Sequence, residues 1–273
     1  MKLRTINIIA YIVLGIIAVL WLVPLYLAIT TSLKTLREVS AMNYLSLPRT
    51  PEPSNYVQAW NSGIGKGLLN SIIITIPTTI LCVFIGAWAG YFLSRFRFRY
   101  APLIFFITAI ATFIPYQIVL IPLTQIVASL RIGQSHLGLI FAYTVLNVPL
   151  AALVTATFFT SIPKELEEAA YIDGCGPVKI FWKIILPVAK PALASAAILV
   201  FTQVWNEFLI ALTLSTPSTK PVTPVVAELK GNYVAQWNIQ MAGAILAILP
   251  PLILFLLMGK YFIRGLLAGT LKA

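Results

Sequence analysis

Charge is scarce in this sequence, and negative charge is scarcest. Only 8 of 273 residues are Asp or Glu, against 19 Lys and Arg, and charged residues make up 10% of the chain. Soluble domains carry about 25%, so this composition excludes an ordinary soluble fold. Acids this sparse offer no acid/base pair, and no nucleophile triad appears, which argues against a membrane enzyme. The sole histidine, His136, stands alone, and neither cysteine has metal-ligand spacing, so no metal is expected. Cys82 lies in an apolar run and Cys175 in a charged loop, so the two are not expected to pair. The net charge of +11 is no nucleic-acid signal, because no basic stripe with interleaved aromatics stands outside the apolar runs. The stretch Gly63-Ile-Gly-Lys-Gly67 lacks the Gly-Lys-Ser/Thr ending and the preceding strand of a phosphate loop.

What the chain has is hydrophobic length. Residues of hydrophobic type make up 59%, and runs of roughly 20 apolar residues, enough to cross a bilayer, recur throughout. The expected spans are 8–29, 68–93, 101–121, 137–159, 191–212 and 241–262, in an all-α integral membrane protein. Breaker-rich segments at 31–67 and 213–240 read as the larger outside loops. Six spans put both termini and the loop at 163–187 on the cytoplasmic side. Twelve basic residues then fall inside (Lys2, Arg4, Arg95, Arg97, Arg99, Lys164, Lys179, Lys183, Lys190, Lys260, Arg264, Lys272) and seven outside. The inside loops are the shorter ones, and this bias is the one that the positive-inside rule requires. No inverted internal repeat is visible, which counts against a secondary transporter.

Half of the acidic residues, Glu165, Glu167, Glu168 and Asp173, gather in one short segment between spans. Pro163 suits a helix start, and the glutamates follow where the positive helix end favours them. Ala169, Ala170 and Ile172 give this helix a low profile, fit for close approach to another protein. Gly174 is expected at its end in a left-handed conformation that side chains make costly. A second helix begins near Pro177 and runs to Leu186-Pro187, making a rigid elbow before the next span.

The spacing Glu168-Ala169-Ala170, Gly174, Ile184, Leu186-Pro187 resembles the E-A-A loop of permease subunits of ABC importers. Pro115–Pro122, Gly90–Phe98, Trp205-Asn206-Glu207-Phe208 and Lys260–Gly269 resemble stretches of the sugar branch of that family, the maltose-type second permease. The resemblance implies one permease domain over 1–273 in the plasma membrane, with the type I importer fold. It further implies that Glu165, Glu168, Ala169, Ala170, Asp173, Gly174, Leu186 and Pro187 couple the chain to an ATPase. The implied partners are a second related permease in a heterodimer, two ATPase subunits and an extracytoplasmic sugar-binding protein. ATP and Mg would sit on the ATPases, and no cofactor on this chain.

Polar residues within spans mark the place to look for a solute path. Gln203, Asn206 and Glu207 stand at i, i+3 and i+4, so they are expected to share one helical face. Glu207 is the only acid assigned to a span, and the sequence leaves two readings for it: a path-lining group, or a structural hydrogen bond to a neighbouring helix or subunit. Asn147 is expected to serve backbone groups freed by Pro149, and Trp21, Trp60, Trp88 and Trp237 to anchor or pack. Two rival functions stay open, an importer of this fold for a non-sugar solute and a proton-coupled carrier using Glu207.

Overall fold

The computed structural model describes residues 2–96, 98–231 and 235–270. Arg97 and Lys272, counted above among the inside charges, lie outside them; the side chains of Lys2, Arg4 and Arg264 lie outside the described side chains. The regular elements among the described residues are all helices: α1 (Lys2–Ser32), α2 (Leu36–Ser40), α3 (Ser54–Ala59), α4 (Gly65–Arg95), α5 (Ala101–Ala111), α6 (Tyr116–Ser129), α7 (His136–Phe159), α8 (Glu165–Ile172), α9 (Pro177–Ile180), α10 (Leu186–Val188), α11 (Lys190–Asn206), α12 (Leu209–Leu214), α13 (Val222–Glu228) and α14 (Trp237–Thr270). Two π-helical turns, Trp60–Ile64 and Phe181–Ile185, lead into α4 and α10.

Among the described residues, four helical stretches are long and apolar enough to cross a membrane, and two bent pairs raise the number to six if each is one span. The expected third span, 101–121, is not one helix. The chain leaves the helix at Thr112 and restarts at Tyr116, and α5 and α6 meet at 102°. Pro115 has no N–H to donate and disfavours helix in the residue before it, so the break falls there. The expected fifth span, 191–212, is likewise interrupted, because α11 stops at Asn206 and α12 starts at Leu209. Trp237, assigned to an outside loop, instead opens α14.

The chain forms two compact units, 1–66 with 224–249 and 67–223 with 250–273. In the smaller unit, the apolar residues of α1 from Ile8 to Tyr26 are exposed along its length. The unit is organised by polar groups at the far end of α1. Lys34 is 1% exposed and donates from Nζ to the carbonyls of Asn43 (2.6 Å) and Tyr44 (3.0 Å), which pins that loop and satisfies a buried charge. Asn55, also buried, donates to the carbonyls of Ser32 and Lys34, each at 2.9 Å.

The larger unit is built on α4, α7 and α11. Small residues on α4 and α7 let the two backbones touch: a Cβ on Gly90 would lie 2.6 Å from Ala152 O and Thr155 Oγ1. Thr155 Oγ1 also donates to Gly86 O at 3.1 Å. In a membrane, where apolar surface gains little by leaving lipid, such close backbone packing is what holds helices together. At one end of these helices Tyr91, Phe159 and Phe181 are buried in an aromatic cluster, with Tyr91 and Phe181 centroids 5.1 Å apart. Gly90→Val is expected to force α4 from α7 and to destabilise the protein by about 1–3 kcal/mol, the range for overpacking. Thermal unfolding in detergent measures this, and an unchanged midpoint would contradict the packing account.

Candidate functional site

Two regions carry the residues singled out above, and α11 joins them. The first is the elbow. Helix α8 starts at Glu165, two residues after Pro163, with its three glutamates in the first turn. Gly174 closes it at φ +74, with open space where a Cβ would stand. The Cys175 N–H returns to Ala170 O at 2.9 Å, so the chain reverses as a left-handed helix stop. Then α9, a π turn and α10 carry the chain to a 78° bend before α11.

The elbow has two faces. Glu165, Glu168, Ala169, Ile172, Asp173 and Pro187 are exposed, and Ile172 is 87% exposed. Ala170 is not on this face: it is buried among Ile162, Ile180 and Phe181, which corrects its expected place on the approach surface. Leu186 is half-buried.

The inward face contains an ion pair that sequence reasoning missed. Arg95, at the end of α4, sets Nε 3.0 Å from Glu167 Oε1, an ionic contact out of hydrogen-bond alignment. Its Nη2 donates to Ile162 O at 2.5 Å. Burial raises the Glu167 carboxyl above its ordinary pKa, and the Arg95 and Lys164 charges oppose this without cancelling it. The available signal was spacing: two residues beyond Glu165, Glu167 must face another side of the helix.

The second region lies at the other end of α11. Asn206 is its last residue, and Glu207 is extended at φ −68, ψ 132. Gln203 and Asn206 therefore share a helical face, but Glu207 does not belong to it, contrary to the one-face expectation. The reason is hydrogen bonding. Glu207 Oε1 accepts from the N–H groups of Leu209 (2.8 Å) and Ile210 (3.0 Å), and Oε2 from Ala211 N–H (3.0 Å) and Tyr143 Oη (2.9 Å). The carboxylate satisfies N–H groups that α12 cannot pair internally. Charge within a span, costing roughly 2.5–3.5 kcal/mol at a helix centre, is met here by four donors.

Glu207 nevertheless lines the same space as Gln203 and Asn206. A cavity of about 390 Å³ is walled by the α5–α6 break (Thr112, Ile114, Tyr116), by Tyr143, Leu146 and Asn147 of α7, and by Gln203, Asn206, Glu207 and Ile210. The α5–α6 break and the α11–α12 break both open onto it. Non-helical backbone at membrane depth is tolerated where it borders such a cavity. Asn147 does not serve the carbonyl freed by Pro149, that of Val145; its Nδ2 donates to Tyr143 O at 2.8 Å. Tyr116 and Tyr143 were not singled out from the sequence, and nothing in their spacing distinguishes them from packing aromatics.

Comparison with known proteins agrees with this architecture. Residues 82–267 match the family described as binding-protein-dependent transport system inner membrane component. The chain is 36% identical over 266 residues to a glucose import system permease protein of Saccharolobus solfataricus, covering 94% of this chain and 92% of that one. It is 34% identical over 265 residues to a sulfoquinovosyl glycerol transport system permease protein of Agrobacterium fabrum, covering 96% and 93%. Among solved structures, a bacterial ABC transporter involved in import of the acidic polysaccharide alginate has a chain of the same fold, with a TM-score of 0.79 at 24% identity, covering 95% of this chain and 97% of that one.

The protein is thus a multi-pass membrane permease, the non-catalytic component of an ABC importer. It belongs to the family of binding-protein-dependent transport system inner membrane components, whose importers also contain an ATPase and a binding protein. This membership leaves no place for a proton-coupled carrier.

Two outcomes follow from the elbow. Gly174→Val is expected to cost about 1–2 kcal/mol from the left-handed backbone alone, since no neighbour obstructs a side chain; Gly174→Asn, which tolerates that conformation, should cost less. Equal melting shifts for both would contradict the assignment. The second outcome concerns pH. A carboxyl whose folded pKa is raised contributes stability below its unfolded pKa and loses it as pH rises through the folded value. Acidification towards the ordinary carboxylate range should therefore favour the folded elbow through Glu167, and Glu167→Gln should flatten that dependence. Hydrogen-exchange protection of α8, taken relative to the intrinsic exchange rate at each pH, reports it, and wild-type protection that falls on acidification would contradict it.

Proposed function

We propose that this chain is one of two related permease subunits, paired as a heterodimer, in an ATP-driven sugar importer of the plasma membrane. Residues 1–273 act as one permease domain with both termini and the elbow cytoplasmic. Two ATPase subunits hold ATP and Mg, an extracytoplasmic binding protein delivers the sugar, and this chain binds no cofactor. The observation that carries the solute assignment is the cavity at the two helix breaks. Gln203 and Asn206 are exposed amides, each with a donor pair and an acceptor, which suits vicinal hydroxyls, and the partly exposed Tyr116 adds ring surface for a sugar's apolar face. Relatives named for glucose and for starch degradation products support the class and lean towards glucose-type sugars or small oligosaccharides.

The elbow is the proposed ATPase contact. Glu165, Glu168, Ala169, Asp173 and Pro187 offer an exposed acidic face, while Gly174, Ala170 and Leu186 fix its shape. Movement there acts directly on α11, which starts one bend later and ends at the cavity. Its 17 residues span about 25 Å.

ATP-driven uptake of labelled glucose and malto-oligosaccharides by the reconstituted complex tests the reading. Gln203→Ala with Asn206→Ala should raise KM about 10-fold or more, at roughly 0.5–1.5 kcal/mol for each lost hydrogen bond, with the subunits still assembled. Glu168→Lys should cut ATPase recovery or uncouple hydrolysis from uptake. Unchanged KM for every sugar taken up would defeat the path assignment, and full coupling in Glu168→Lys would defeat the elbow assignment.

A further inference from the structure

The smaller unit contains a polar cavity of about 300 Å³, walled by Thr35, Glu52, Ser54, Asn55, Gln58, Gln236 and Asn238 among others, and the importer reading gives it no role. Its hydrogen bonding is incomplete in one direction. Asn55 Nδ2 is committed to the carbonyls of Ser32 and Lys34, so Asn55 can offer Asn238 only its Oδ1. Asn238 must then turn its own Nδ2 inward, and does so at 2.9 Å. This fixes the amide and leaves Asn238 Oδ1, on a residue 5% exposed, as a buried acceptor without a partner among the described residues. Such an atom is costly unless something outside the chain donates to it.

The rest of the wall asks for the same chemistry. Glu52 is half-buried, and its Oε1 accepts, among the described residues, only from Ser54 Oγ, at 2.5 Å. No ion pair balances Glu52 among the described residues, in a chain with more than twice as many bases as acids. Gln58 adds an exposed amide at the rim, and its Nε2 lies 3.4 Å from Ser54 Oγ. A carboxylate and a buried amide oxygen on residues that line one space of side-chain size select a hydrogen-bond donor that is also a cation.

We infer that this cavity is a docking socket for a single Lys or Arg side chain of the extracytoplasmic binding protein. The inference rests on the proposed topology, which places 31–67 and the start of α14 outside. Glu52 supplies the charge, Asn238 Oδ1 the buried acceptor, and Gln58 the rim contact. Truncating one partner of a hydrogen-bonded charge pair at an interface is costly, whereas a rim charge acts through salt-dependent association.

The test uses the full complex in nanodiscs, with the solute-binding protein that stimulates its ATP hydrolysis as the probe. Glu52→Gln keeps the shape and the Ser54 contact, and should weaken docking about 10-fold or more while flattening its dependence on salt. Gln58→Glu should tighten docking and steepen that dependence, and because Gln58 is exposed its effect does not depend on preserving a buried residue. Subunit recovery and basal ATPase activity should match the wild type in both. Unchanged docking in both variants would overturn the socket, as would a change confined to KM for the solute, which would make the cavity a solute subsite. Absence of docking by the wild-type complex would instead overturn the importer reading, and the socket with it.

Discussion

The Glu207 carboxylate is the constraint on which the centre of the larger unit depends. A helix that stops at membrane depth leaves unpaired N–H and C=O groups, and lipid offers them nothing. Glu207 resolves one side of that problem by taking three N–H groups of α12. It also reaches across to Tyr143, so the interrupted strand of helices is tied to α7. Without an anion at this position the break would have no reason to persist, and α11 could continue as one apolar rod past the cavity. The break in turn is what lets Gln203 and Asn206 end a helix at the cavity wall.

The same economy governs the other end of α11. Close backbone contact between α4 and α7 leaves no slack between these helices, and the aromatic cluster around Tyr91 and Phe181 extends that packing to the elbow. Arg95 adds an ionic tie to Glu167 and a hydrogen bond to Ile162 O. On the proposed reading, a push on the exposed acidic face meets a packed assembly and reaches the cavity through α11. Stiff packing transmits displacement.

How much of this was legible in the sequence differs between the two ends. The elbow reads well because its determinants are local: Gly174 closes α8 through its own backbone freedom, and the acids cluster within one turn. The positions of α4 and α7 read well because their apolar runs are long. The cavity reads poorly because its determinants are long-range. Trp205-Asn206-Glu207-Phe208 sits in a run apolar enough to pass for continuous helix, and the break becomes apparent only when Tyr143, 64 residues earlier, is placed beside Glu207. Pro115 was visible, but proline is tolerated inside α4, α7 and α14, so it does not by itself announce a bend. Ala170 looked like surface because its small size suits close approach, and the same property suits burial.

The account's central claim is that solute passes the cavity where the two helix breaks meet. A structure of the full complex in nanodiscs, trapped with a transported sugar and a transition-state mimic of ATP, tests it most directly. The account predicts sugar density bordered by Gln203, Asn206 and Tyr116, with α11 still ending at Asn206 and Glu207 still capping α12. Sugar density remote from this cavity, or a continuous helix through Glu207, would contradict it.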